Sequence, residues 1–226
     1  VLTRAKFLGG ALAGAAVALT APAAWAQAAE QMVVVDGARK TLNDLRRDKA
    51  FGNAKQLLRR ARAVMIVPKL IKGGFIVGGE GGNGVVMVRG RGGWSDPAFY
   101  AIGAASFGLQ AGLEQSELIL LVLTEKGLNG LLRDNFKLGA QAGIAVVTLG
   151  SGVEGALAGP TPPDVVVWSS STGLYGGLTI DGSVIRSRPN WDAAFYGRHV
   201  TTRDVLYGHI ESARAAPLRR EIDAFG

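Results

Sequence analysis

The 226-residue sequence contains no cysteine, only two histidines and three methionines. Without cysteine there can be no disulfide, no thiolate nucleophile or metal ligand, and no lipid on an N-terminal Cys. His199 and His209 do not stand at a metal-binding spacing and no acidic cluster flanks them, so no metal site is expected. No Gly-Lys-Ser/Thr phosphate loop occurs, and Ser106 and Ser116 lack a G-x-S-x-G setting. Glu80 and Asp181 fall among glycines, where a turn carboxylate can accept backbone N–H groups, and Glu114 and Glu117 flank a strand start. No nucleophile–base set emerges, so the expectation is a non-enzymatic protein with no catalytic residue and no cofactor.

Acidic residues are also in short supply. Lysine and arginine total 25 against 18 Asp and Glu, a formal charge of +7. The excess is local. Between Asp36 and Lys72 there are eleven basic residues and three acids. A basic segment on a near-neutral body predicts an anionic partner. Nucleic acid is disfavoured, because only Phe51 and Phe75 interleave aromatics with that cluster.

Apolar residues make up 48% of the chain, and it holds 33 glycines. The first segment is read as an address. Arg4 and Lys6 precede the apolar run Phe7 to Thr20, and Ala24-Trp25-Ala26 offers an A-x-A cleavage signal. Residues 1–26 are thus expected to be a cleaved secretory signal, and Val1 read as an alternative start predicts a bacterial precursor. The expected location is the periplasm, peripheral on a membrane.

The densest glycine cluster lies between Val67 and Gly84, at Gly73, Gly74, Gly78, Gly79, Gly81, Gly82 and Gly84. Each glycine disfavours helix by about 1 kcal/mol, and the apolar run Val85 to Val88 that follows looks like strand. Gly79-x-Gly81-x-x-Gly84 matches the dinucleotide fingerprint only literally. It leads into a strand rather than a helix, and no acidic residue follows at about 20 positions. A glycine-rich β-hairpin in a strongly bent sheet is the expectation, with Ala63–Val67 as a strand ended by Pro68.

Around this hairpin the pattern alternates between helix and strand. Thr41-x-x-Asp44 predicts a helix cap. Ala54, Leu57, Leu58 and Ala61 recur at i, i+3, i+4 and i+7, predicting a helix over Asn53–Arg62 with Lys55, Arg59 and Arg62 on its flank. Such a basic amphipathic helix suits a membrane interface, with Leu57 and Leu58 inserting; it equally suits an ordinary helix laid on a sheet. Leu118–Leu123 reads as a strand buried on both faces, and Thr124 as the N-cap of a helix over Glu125–Arg133. Lys137–Leu149 alternates, and Val165–Trp168, Leu174–Ile180 and Ser183–Ile185 read as a meander turned at Asp181-Gly182. Short helices over Asp192–Tyr196 and Thr202–Tyr207 and a frayed terminal helix over Ser212–Phe225 complete the chain. The fold class is α+β: a strongly bent antiparallel sheet of barrel-like curvature, with basic N-terminal and short C-terminal helices. A transmembrane β-barrel fits poorly, because a helix interrupts the uneven strands and the C-terminus is helical.

The run A-R-A-V-M-I-V-P-K-L-I-K-G-G-F-I-V-G-G-E-G-G-N-G-V-V-M-V-R resembles the signature of the SYLF, or Ysc-type actin-binding, domain family. Further blocks agree: W-S-D-P-A-F-Y (94–100), S-F-G-L-Q-A-G (106–112), K-L-G-A-Q-A (137–142), G-L-Y-G-G-L-T-I-D-G-S-V-I (173–185) and A-F-Y-G (194–197). The resemblance implies a lipid-binding domain over residues 39–210, after an N-terminal extension over 27–38 and before a helical tail over 211–226. Members bind phosphoinositides and other anionic lipids, and some bind and bundle actin. In the family, lipid binding is associated with the basic N-terminal part of the domain. Here that part holds Lys55, Arg59, Arg60, Arg62, Lys69 and Lys72. For an exported protein the implied ligand is an anionic phospholipid such as phosphatidylglycerol or cardiolipin. The alternative is a structural or protein-interaction module with no lipid ligand; an acyl-chain carrier would need a deep apolar pocket.

Overall fold

The structure, a computed structural model, describes residues 21–48, 54–74, 77–107, 112–133, 135–148, 163–170 and 182–225. The signal-peptide core, Asp181 and the Leu174–Ile180 strand lie outside the described residues.

At the centre is β1 (Ala63–Gly74), paired antiparallel with β2 (Val77–Gly90) on one side and β5 (Gly112–Val122) on the other. Outward from β2 come β4 (Ala98–Phe107), β9 (Val184–Ser187) and the two-residue β6 (Phe136–Lys137); the short β3 (Gly93–Trp94) also pairs with β2. Outward from β5 come β8 (Val165–Ser169) and β7 (Ile144–Thr148). The sheet curls into a half-barrel, and with its helices the fold is α+β as expected. It is not wholly antiparallel, because β7 and β8 pair in parallel. A parallel pair needs a crossover of a dozen or more residues, and the Gly/Pro-rich stretch between β7 and β8 is long enough to make one. Residues 137–149 are not one alternating strand either: Gly139, at φ +80°, turns the chain between β6 and β7.

The glycines lie inside the paired strands. Gly73 faces Gly79 and Gly74 faces Gly78 across the hairpin. Pro68 does not end β1. It sits at a register shift against both neighbouring strands, where its missing N–H removes no ladder bond. The bulge folds over β2 where Gly82 and Gly84 carry no side chain. A Cβ on Gly82 would stand 2.5 Å from the Lys69 carbonyl oxygen, and one on Gly84 would overlap the Ile66 carbonyl oxygen. These two glycines make room for backbone, not for a ligand.

Both faces of the sheet are covered. In β5, Ile119 and Leu121 enter one core while Leu118, Leu120 and Val122 enter the other, all at most 1% exposed. Period-two alternation within a wholly apolar run is what a two-sided core requires. The first core is roofed by α1 (Ala21–Arg47), α2 (Ala54–Arg60), α4 (Pro189–Tyr196) and α6 (Ala216–Phe225). The second is closed by α3 (Glu125–Leu131) and α5 (Thr202–Tyr207). Thr124 caps α3 by accepting from the Gly127 N–H at 3.1 Å, as the sequence predicts.

The N-terminal helix differs from expectation. Thr41 is no cap: it lies inside α1, on a buried stripe with Val34, Val35, Ala38, Leu42 and Leu45. Its hydroxyl donates to Glu117 Oε1 at 3.2 Å. Residues 34–38 are therefore core, not an extension ahead of the domain. Ala215, Leu218, Ile222 and Phe225 are likewise buried in the first core, so the terminal helix is packed rather than frayed.

Candidate functional site

Helix α2 has seven residues, and its burial decides what it can do. Leu57 is 3% exposed and Leu58 is fully buried, both in the core under the sheet. Neither can enter a bilayer while the domain is folded, so the insertion role expected for them is corrected. What α2 offers to solvent is polar: Lys55, Gln56, Arg59 and Arg60.

The chain leaves α2 through Ala61 and Arg62 into β1, beside the end of β2. Arg89 locks this junction. Its Nη2 donates to the Leu58 carbonyl at 2.9 Å and its Nε to the Ala61 carbonyl at 3.2 Å, so it satisfies carbonyls at the helix C-terminus. Its guanidinium also lies 4.4 Å from the centre of the Trp94 ring. Burial lowers its pKa, opposed by Asp223, yet an arginine stays charged at any physiological pH.

Around Arg89 opens a cleft of about 620 Å³. Arg59, Arg60, Arg62, Arg89 and Arg91 line it, and Glu125 is the acid among its walls. Glu125 forms an ion pair with Arg62. Buried Ala61, Val88 and Leu128 back its walls, and the apolar surface it shows comes from half-buried Leu123 and from Tyr207, 44% exposed. Five guanidinium groups against one carboxylate make this a strongly basic concave surface.

The six basic residues singled out from the sequence are thus divided. Arg59, Arg60 and Arg62 meet at the cleft; Lys55, in the first turn of α2, does not line it. Lys69 is exposed further along β1. Lys72 is near the far end of that strand, roughly 30 Å from Arg62 at the ordinary strand rise. Its cross-strand neighbours are Glu80 on β2 and Glu114 on β5, so it stands between carboxylates. Arg89 and Arg91 were missed. Their signal was the R-G-R step closing the hairpin, one strand away in sequence from the basic cluster.

Glu80 is not in a turn. It is a strand residue, 6% exposed, whose Oε1 accepts from Ser183 Oγ at 3.3 Å. Burial raises its pKa, and Lys72 works in the opposite direction. Among the described residues no group of three His, Asp or Glu could hold a metal ion. No described helix is long and apolar enough to cross a membrane.

The W-S-D-P-A-F-Y and A-F-Y-G blocks act on architecture. Ser95 and Val88 exchange hydrogen bonds: the Ser95 N–H donates to the Val88 carbonyl at 2.9 Å, and the Val88 N–H to Ser95 Oγ at 3.0 Å. Buried Asp96 pairs with Arg219 of α6 and accepts from the Ser212 N–H at 2.5 Å. The Tyr196 hydroxyl donates to the Pro97 carbonyl at 2.8 Å, and Phe99 packs edge-on against Phe195 at 5.2 Å. Gly197 ends α4 at φ +66°, a left-handed cap.

These interlocked blocks have counterparts elsewhere. The profile of the Ysc84 family, described as a Las17-binding protein actin regulator, matches residues 103–225. The chain belongs to this family, the SYLF family. The SH3 domain-containing YSC84-like protein 1 of Xenopus laevis is 31% identical over 165 residues, 71% of this chain and 49% of that protein. Its Bos taurus counterpart is 29% identical over 172 residues, 75% of this chain and 50% of that protein. Protein YSC84 of Saccharomyces cerevisiae is 29% identical over 173 residues, 74% of this chain and 37% of that protein. The chain spans about half the length, or less, of these curated relatives. No solved structure matches it. The cleft arginines all precede the segment matched by the Ysc84 profile, whereas Glu125, Leu128 and Tyr207 fall within it.

Proposed function

We propose that this Ysc84-family chain is a non-enzymatic protein-interaction module, related in role to the actin regulators of its family, and that it meets its partner at the arginine cleft. The observation that carries this reading is the convergence of Arg59, Arg60, Arg62, Arg89 and Arg91 on one open concavity whose described lining includes one acid, Glu125. Filamentous actin is the probe that the family description supplies. In co-sedimentation, the chain should pellet with filaments at low salt, and Arg60→Glu/Arg91→Glu should abolish this while leaving thermal unfolding unchanged. If the chain stays in the supernatant at every salt concentration, or the variant pellets as well as the parent, the reading is wrong.

A second reading is supported by the exposed basic face of α2, Lys55, Arg59 and Arg60: electrostatic attachment to anionic phospholipid. Each such side chain contributes about 1 kcal/mol near an anionic surface, with no help from Leu57 or Leu58. Vesicles with and without phosphatidylglycerol separate the two readings. The proposal of export rests on the N-terminal sequence and is tested by sequencing the N-terminus of the mature protein. In a periplasm, another acidic protein would take the place of actin.

A further inference from the structure

The geometry points to a specific kind of occupant for the arginine cleft: a short acidic segment of a partner protein, whose Asp and Glu carboxylates are taken by the guanidinium forks. This rests on the interaction reading above and names the chemistry of its partner. Three features of the cleft favour a peptide. The first is charge. Planar guanidinium groups bind carboxylates through two parallel hydrogen bonds, and here they converge from two elements, the C-terminus of α2 and the end of β2.

The second is preorganisation. Arg89 is pinned by the Leu58 and Ala61 carbonyls and by Trp94, so part of the cleft's positive charge is held in place before any partner arrives. Arg60 and Arg91 are exposed beside it. The third is the apolar surface beside the arginines, the exposed Tyr207 ring with half-buried Leu123. A bare anion makes no use of that surface; an extended chain carrying both acidic and apolar side chains covers it. A bilayer is the poorer match, because the leucines of the basic helix, Leu57 and Leu58, are locked in the core and cannot insert.

The ion pair between Glu125 and Arg62 adds a feature that a merely basic surface would lack. Glu125 occupies one guanidinium that an incoming carboxylate would need. It is an internal competitor, and removing its charge should improve binding.

The test uses the full chain and fluorescence anisotropy of a labelled peptide alternating Glu and Leu, with its Gln–Leu counterpart as control. The Glu peptide should bind, more weakly as salt rises, and the Gln peptide should not. Arg60→Ala/Arg91→Ala should weaken binding by about tenfold or more, the loss expected for two charge contacts. Lys55→Ala/Lys69→Ala removes equal charge outside the cleft and should change little. Glu125→Gln should tighten binding, a gain that no folding defect can imitate. The inference is overturned if both peptides bind alike, if the lysine pair matters as much as the arginine pair, or if Glu125→Gln has no effect. It is also overturned if phosphatidylglycerol vesicles bind through these arginines while the peptide does not. Should actin co-sediment through the cleft without any peptide binding, the inference falls and the interaction reading stands. If neither actin nor peptide binds, both fall.

Discussion

Asp192 has no exposed surface, and both of its carboxylate oxygens are engaged. Oδ1 accepts from the Phe99 N–H at 2.7 Å and Oδ2 from Thr202 Oγ1 at 2.8 Å, tying β4, α4 and α5 together. Burial still dominates and pushes its pKa up to about 6, in a neighbourhood shared with Tyr196 and Asp96. A carboxyl whose folded pKa is raised favours the fold most when protonated. Its contribution is complete below about pH 4 and is lost as pH rises through about 6, a change on the order of 3 kcal/mol. Asp192→Asn keeps an acceptor for Phe99 and removes the titration. Urea midpoints at pH 4 and pH 7 should therefore differ less in the variant than in the parent, with the variant the more stable at pH 7. An unchanged difference would mean that the carboxyl titrates as in water. Asp192 was legible only as a helix residue; nothing in N-W-D-A-A says that it reaches a backbone N–H more than 90 positions away.

At the scale of the element, the β1–β2 hairpin shows what its glycines do. Strand character was legible, since so much glycine excludes helix and the runs beside it are apolar. The bulge at Pro68 was not, because it is set by two neighbouring strands at once. Gly84→Ala places a methyl on the Ile66 carbonyl and should destabilise by about 1–3 kcal/mol, the usual cost of overpacking. Gly92→Ala meets nothing within 4 Å and serves as the neutral control. Equal urea midpoints for the two would show that the bulge yields freely. Helix α1 teaches the complementary lesson. Thr41 followed by Asp44 has the form of a cap, but its register places Thr41 on the stripe that faces Glu117 of β5. A capping sequence inside a longer amphipathic helix loses to the burial of Val34, Val35, Ala38, Leu42 and Leu45.

For the whole molecule, the question is whether the ends of the chain are appendages. Helix α6 places Leu218, Ile222 and Phe225 in the first core, and its Arg219 pairs with buried Asp96. Three such side chains contribute about 6 kcal/mol by area burial, comparable to the entire 5–15 kcal/mol of a typical domain. Deleting residues 216–225 should abolish the cooperative urea transition followed by tryptophan fluorescence, rather than merely lower helix content. A truncated protein that kept a single sharp transition would make α6 dispensable. The arginine cleft also belongs to this scale. Arg59, Arg60 and Arg62 come from one end of the segment and Arg89 and Arg91 from the far side of a long hairpin, and they meet because β1 and β2 are antiparallel neighbours. The same pairing carries Lys72 away, to stand between Glu80 and Glu114.

The α+β class, the glycine-rich hairpin, the two-faced burial of β5, the Thr124 cap, the basic bias of the N-terminal half and, through the motif blocks, the family are all legible in the order of residues along the chain. Each follows from local composition or from periodicities of 2 and 3.6, which are properties of neighbours along the chain. Which basic residues come together, that Leu57 and Leu58 are core rather than anchor, that β7 and β8 run parallel, and that Gly82 and Gly84 admit a bulging strand emerge once the chain is folded. These depend on which distant segments lie side by side, and burial of an amphipathic face reads the same in sequence whether a sheet or a bilayer covers it.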